Sequence, residues 1–291
     1  MRNFEYFDPT TVEEAVDLLR RHQGQAKVLA GGTDLFLRMR HRAIMPEVVI
    51  DLKRIPELVA LRYTDQEGLH IGSTVTHAAV VEAATVQQHY GALAAAANWV
   101  GSLQTRHRGT VAGNLCNASP AADTAPALLA YRATVVIAGP EGARTVPLEA
   151  FFQGPGQTVL GPAEIVTALR LPPSQGRQGW GFLRRTRTAI DIALVSSCAV
   201  IRAENGVCQE VTIALGAVAP TPLRATQTEQ MLRGKKPTAA LLADVGRSAA
   251  AEARPIADVR CSAAYRRDMA EVLTKRCVQS ALEMLQVRID S

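Results

Sequence analysis

Two stretches of this 291-residue sequence carry residue types that could hold a charged ligand. The first is Leu29-Ala30-Gly31-Gly32-Thr33-Asp34-Leu35, where a short apolar run ends in two glycines and passes into a helical pattern. Successive backbone N–H groups at such a turn form a concave nest, and the start of the helix adds partial positive charge. Glycine brings a phosphate up to the backbone because no Cβ intervenes. Thr33 adds a hydroxyl donor. The same residues serve an ordinary strand-to-helix turn equally well, so this stretch decides nothing by itself. The second stretch is Arg108-Gly109-Thr110-Val111-Ala112-Gly113-Asn114-Leu115-Cys116-Asn117-Ala118-Ser119-Pro120-Ala121-Ala122-Asp123. Its glycines, asparagines and hydroxyls can wrap a polar ligand with backbone donors and short side chains. Asp123, an acceptor-only group when ionised, could take hydrogen bonds from ribose hydroxyls, or merely cap the next helix.

Other chemistry is thin. The chain has no GxGxxG after its first strand and no GxxxxGK[ST], so neither a Rossmann nor a P-loop site is indicated. His107 is a lone histidine, a type more often at the surface or in packing than in a site. No local Ser/His/Asp or Cys/His set suggests nucleophilic catalysis. Arg184, Arg185 and Arg187 form a basic cluster whose plain reading is a solvated face.

The elements that must position the two stretches follow from pattern. Thr10 or Thr11 caps a first helix, with Glu13 and Glu14 at capping-box spacing and Val12, Ala15, Val16, Leu18 and Leu19 on its apolar face. Gly24 ends it, Lys27–Ala30 is a strand, and Thr33-Asp34 opens a helix through Met39. Val48–Leu52 and Leu69–Gly72 read as strands, Thr76 as a helix cap, and Leu93–Val100 as an alanine-rich helix. Gly101–Asn117 reads as a glycine-broken loop, Asp123 as the start of a helix through Leu129, and Thr134–Ala138 as a strand. Glu141–Pro173 reads as loops around one strand, Ile165–Leu171, and Ser174–Gly181 as a linker. Strands Ile192–Ile201 and Val211–Val218 follow. Val211, Ile213 and Leu215 alternate in the second of them, as in a half-buried antiparallel sheet. Helices Ala225–Arg233, Thr238–Glu252 and Tyr265–Leu285 close the chain. The expected fold class is α+β: two α+β subdomains over residues 1–55 and 56–173, then a β-sheet-plus-helices domain over 174–291.

Composition narrows the function classes. Hydrophobic residues at 47% and charged residues at 20% exclude disorder as the main state. No apolar run is long enough for a transmembrane helix. Met1–Pro9 has no apolar segment of the signal-peptide kind, which points to the cytoplasm. The net charge of +5 comes from scattered arginines, and aromatics at 4% are too few for a base-stacking platform. A phosphate-bearing cofactor or an acidic protein partner explains the charge instead. The five cysteines lack C-x-x-C spacing, which argues against a zinc or iron–sulfur site and for reduced, mostly buried thiols.

Taken together, Lys27–Leu35 and Gly101–Leu129 resemble the FAD-binding segments of the molybdenum hydroxylase flavoproteins. These are the medium subunits of xanthine dehydrogenase and carbon monoxide dehydrogenase type enzymes, with a PCMH-type FAD fold. Gly181-Phe182-Leu183-Arg184-Arg185 through Asp191-Ile192-Ala193, then Ala214–Arg224 and Tyr265–Ala270, resemble the family's C-terminal domain. The likeness covers essentially the whole chain, in order, and the Asn117–Asp123 form is nearer the xanthine dehydrogenase branch. It implies that Leu29, Ala30, Gly31, Gly32, Thr33, Asp34 and Leu35 hold the FAD diphosphate through backbone N–H groups. It implies that Thr110, Gly113, Asn114 and Asn117 line the pyrophosphate and flavin path, and that Asp123 binds the adenosine ribose. Val166 falls where the family sets an apolar residue against the cofactor, and Arg184 where relatives commonly carry a lysine near the flavin. The sequence departs from the family at Ala112-Gly113-Asn114, usually Gly-Gly-Asn, and has no cysteine-rich insertion for a [4Fe-4S] cluster.

The resemblance further implies an electron-transfer role with no catalytic acid or base on this chain. Molybdopterin would sit on a large partner subunit and two [2Fe-2S] clusters on a small one, in a dimer of heterotrimers. FAD here would pass electrons to NAD+, a quinone or oxygen. Two alternatives stay open: a stand-alone PCMH-type flavin oxidase, and a nucleotide-binding interaction module without redox activity.

Overall fold

A computed structural model describes residues 2–290. The chain opens with a small parallel sheet of β1 (Glu5–Phe7), β2 (Ala26–Leu29) and β3 (Val48–Asp51), in the order β1-β3-β2. Parallel strands require crossovers, supplied here by α1 (Val12–Arg21) and α2 (Leu35–Arg40). The cap of α1 is reciprocal: Thr11 Oγ1 accepts from the Glu14 N–H, and the Glu14 carboxylate accepts from the Thr10 N–H. Its Val12, Ala15, Val16 and Leu19 pack against Ile50 in one core.

The second unit begins with β4 (Leu61–Thr64) and β5 (Gly68–Gly72). Six short helices follow: α3 (His77–Glu82), α4 (Ala84–His89), α5 (Gly91–Asn98), α6 (Leu103–Arg106), α7 (Val111–Cys116) and α8 (Thr124–Ala130). Next come β6 (Thr134–Gly139), β7 (Gly142–Pro147), α9 (Leu148–Phe151), the small hairpin β8 (Phe152–Gly154) with β9 (Gln157–Thr158), and β10 (Ile165–Leu171). The antiparallel sheet has the order β4-β5-β10-β6-β7.

The third unit is an antiparallel meander of β11 (Gly179–Arg185), β12 (Val195–Glu204), β13 (Val207–Gly216) and β14 (Leu223–Arg224). It is backed by α10 (Thr226–Leu232), α11 (Ala239–Glu252) and α12 (Ala263–Met284). Both faces of this sheet are covered, where alternation had suggested one. Phe182, Cys198 and Ala214 stand in one cross-strand row and join the core of the second unit. The alternate residues Ala199, Ile213 and Leu215 face α11 and α12. The sheet thereby locks the third unit onto the second.

Three stretches are more ordered than the pattern implied. Gly101–Asn117 is not a loop: Ser102 caps α6 through the Thr105 N–H, and Thr110 caps α7 through the Gly113 N–H. Its small polar residues have low helix propensity, which hid two turns that capping secures. Glu141–Pro173 contains β7 to β9 and α9 as well as β10. β7 is an exposed, polar edge strand with no apolar alternation to betray it. The supposed linker becomes strand at Gly179, because its glycines serve close packing. A Cβ at Gly179 would lie 1.9 Å from the Ala281 carbonyl oxygen, and one at Gly181 2.3 Å from that of Cys277. The first strand, Glu5–Phe7, has no counterpart in the sequence reading.

Candidate functional site

The first glycine turn leaves the C-terminal end of β2. Leu29 is buried with Met39 and Val49 and anchors the turn from behind. Gly32 has φ +77°, a left-handed conformation that glycine adopts without strain. From the end of β3, Lys53 Nζ donates to the Ala30 carbonyl at 3.4 Å and pairs with Asp51 at 2.6 Å. Asp51 also accepts from the Tyr6 hydroxyl at 2.6 Å. The turn is thus tied to all three strands of its sheet.

The second turn is set by β5 and α3. The Val111 N–H donates to the Val75 carbonyl at 3.2 Å, and the His77 N–H to the Gly109 carbonyl at 3.0 Å. Thr110 is buried and spends its hydroxyl on the cap of α7. Asn114 Oδ1 accepts from Thr124 Oγ1 at 2.9 Å, which joins α7 to α8.

These two turns meet. A Cβ at Gly31 would lie 2.2 Å from the Arg108 carbonyl oxygen and 2.8 Å from Gly109 Cα, so only glycine permits the approach. Asn117 Nδ2 donates to Asp34 Oδ1 at 3.3 Å across the same junction. Between the turns runs a cleft of about 860 Å³, within the range of cofactor sites. Ala30, Gly31, Gly32, Thr33, Asp34, Leu35, Thr110, Gly113, Asn114, Asn117 and Val166 all line it. Lys27 and Arg38 are its basic residues. Asp34 and Glu164 are its acidic residues, and burial raises the Asp34 pKa against the pull of Arg38. Glu164 pairs with Arg144, whose Nε and Nη2 each lie 2.7 Å from a carboxylate oxygen.

Three residues expected at the ligand do not line the cleft. Leu29 belongs to the core beneath it. Asp123 and Arg184 pair with each other at 2.7 Å, with side chains 12% and 2% exposed. Arg184 also donates to the carbonyls of Trp99 and Asp191 and lies over the Trp99 ring. Asp123 stands at the head of α8 without capping it. Its Oδ2 pairs with Arg184 while its Oδ1 has no partner, and the absent cap bond corrects the N-cap reading. Burial pushes the Asp123 pKa up to about 6, with Arg184 opposing.

The sequence reading missed Ser73, His77 and Lys53. Ser73 and His77 line the cleft, are buried, and hold side-chain atoms without partners: Ser73 Oγ and His77 Nδ1. Leaving such a group unsatisfied costs about 1–3 kcal/mol. They sit tens of residues from either motif, and nothing local marks them. Burial pushes the His77 pKa down to about 4, with Arg106 adding to the effect. Between about 6.5 and about 4 the unfolded chain therefore binds this proton more readily than the folded one. The group's contribution to stability is full above that window and lost as pH falls through it. An NMR titration of the ligand-free chain should give His77 a midpoint near 4; a midpoint near 6.5 would contradict its burial as neutral imidazole.

Comparison with known proteins bears on this cleft. The chain matches a model described as the FAD binding domain in molybdopterin dehydrogenase over residues 2–174. It matches one described as the CO dehydrogenase flavoprotein C-terminal domain over 182–281. It is 32% identical to the xanthine dehydrogenase FAD-binding subunit of Escherichia coli, covering 95% of each chain. It is 35% identical to the carbon monoxide dehydrogenase medium chain of Hydrogenophaga pseudoflava, covering 96% of each. Among solved structures, it is similar to a chain of the Hydrogenophaga pseudoflava carbon monoxide dehydrogenase that lacks the Mo-pyranopterin moiety. There the TM-score is 0.94, with 97% of this chain and 98% of that one covered.

Proposed function

The chain belongs to the family of FAD-binding subunits of molybdopterin dehydrogenases, and on that premise we propose that it is the FAD-carrying electron-transfer subunit of a xanthine dehydrogenase-like molybdenum hydroxylase. The observation that carries this reading is the junction of the two glycine turns around one cleft. Gly31 packs on the Arg108–Gly109 backbone, and Asn117 reaches Asp34.

The residues present fit FAD. Ala30 to Leu35 would hold its diphosphate through backbone N–H groups. Thr110, Gly113, Asn114 and Asn117 would line the path from pyrophosphate to flavin, and Val166 would supply an apolar contact. Leu29, Asp123 and Arg184 would act from behind, fixing the turn and the third unit. FAD when bound supplies the exchange between single-electron and hydride chemistry. The chain's own residues bind it and orient it, and no proton donor or acceptor on this chain is needed for that role. We divide the chain for this purpose into a PCMH-type FAD-binding domain, 1–173, and a C-terminal domain, 174–291.

The relatives are an FAD-binding subunit and a medium chain, which supports a multi-subunit setting. In the proposed complex a large subunit carries molybdopterin and selects the substrate, and a small one carries two [2Fe-2S] clusters that feed FAD. The complex would be a dimer of heterotrimers in the cytoplasm, with NAD+ or another acceptor taking the electrons.

Co-expression with neighbouring reading frames tests this. The expected product is a yellow complex with an oxidised-flavin absorption band, iron and molybdenum. A yellow chain that never associates would favour the stand-alone oxidase, and a colourless one that takes up no flavin would remove the redox reading.

A further inference from the structure

We propose that Ser73 and His77 form a polar subsite in the wall of the cleft that hydrogen-bonds the phosphate oxygens of the FAD diphosphate. This rests on the reading that the cleft holds FAD. In the run Ser73-Thr74-Val75-Thr76-His77, the polar side chains divide into two kinds. Thr74 Oγ1 donates to the Leu58 carbonyl at 2.8 Å, and Thr76 Oγ1 accepts from the Ala79 N–H at 3.2 Å, so both serve the fold. Ser73 Oγ and His77 Nδ1 have no partner, although their residues are only 3% and 1% exposed. Both residues line the cleft that the two glycine turns form.

Their place in the cleft selects the ligand group. The His77 ring edge (Cδ2) and Thr33 Oγ1 each lie 3.4 Å from where a Cβ on Gly109 would stand, so the imidazole flanks the junction of the turns. A half-turn about χ2 exchanges Nδ1 with Cδ2 and brings a nitrogen to that side without changing the ring's shape. A neutral imidazole keeps one N–H, and a serine hydroxyl rotates to suit its partner. Two donors beside a nest of backbone N–H groups match an acceptor-only group with several oxygens, which is a phosphate.

The full chain, freed of flavin, is titrated with FAD by flavin fluorescence, and with riboflavin, which lacks phosphate. Ser73→Ala and His77→Leu are each expected to weaken FAD binding about tenfold, and to leave riboflavin binding unchanged. The melting temperature of the flavin-free variants should stay level or rise, because removing an unpartnered buried group relieves a cost. His77→Asn, which keeps a polar atom near the Nδ1 position, should recover most of the affinity. Unchanged FAD affinity, or flavin-free variants that melt lower while still binding FAD normally, would overturn the subsite and mark the pair as structural. Equal losses for FAD and riboflavin would also overturn it. Wild-type chain that binds no FAD would instead sink the flavoprotein reading beneath it.

Discussion

Gly31→Ala should strip the chain of its flavin while leaving most of the fold in place. The new methyl would lie 2.2 Å from a carbonyl oxygen and 2.8 Å from an α-carbon, both backbone atoms that cannot rotate aside. The two turns would have to part. Overpacking of this kind costs about 1–3 kcal/mol or somewhat more, and the loss falls on the cleft, because the turns form its walls. FAD affinity should fall about ten- to hundredfold. Gly24→Ala is the control: Gly24, unlike Gly31, has positive φ, +82°, but nothing lies within 4 Å of its would-be Cβ. Its variant should pay only local backbone strain and bind FAD normally. Equal flavin losses in the two variants would show that a general loss of stability, and not the meeting of the turns, is being read.

The second large effect is on stability. Asp123→Ala leaves the Arg184 guanidinium, 2% exposed, without its carboxylate. Removing one partner of a buried pair typically costs about 3–5 kcal/mol. Chemical denaturation should report a loss of that order, and flavin release should follow it as a consequence. Adding Arg184→Met should recover much of the stability, since an apolar pair of similar volume avoids the desolvation cost of both charges. A single variant as stable as wild type but unable to hold FAD would show a direct ribose role instead. The pH dependence carries a separate mark. Because burial raises the Asp123 pKa from 3.8 to about 6 in the fold, its contribution is greatest below that window and declines as pH rises through it. The His77 contribution runs the other way, so Asp123→Asn should leave a chain whose stability falls more steeply with acid than wild type.

What the sequence made legible was local. The Thr11–Glu14 cap, the Gly31-Gly32 turn and the helices of the third unit all show within a few residues. The resemblance then joined two glycine stretches that spacing alone could not join. The remainder depends on contacts between distant segments. Asp123 reads as a free acceptor until Arg184 arrives from β11, and Ser73 reads like Thr74 until the fold satisfies one and not the other. Gly179 and Gly181 look like flexible punctuation, and their purpose emerges only when α12 lies against them. Gly101–Asn117 hid two capped turns for the same reason that it suits a ligand: its residues are small and polar.

A crystal structure of the chain loaded with FAD decides whether the two glycine turns clasp the diphosphate. Diphosphate density is expected between residues 30–35 and 109–114, with backbone N–H groups of the first turn pointing at it. Diphosphate bound elsewhere, for instance in the groove between α1 and the outer face of the five-stranded sheet, would contradict it.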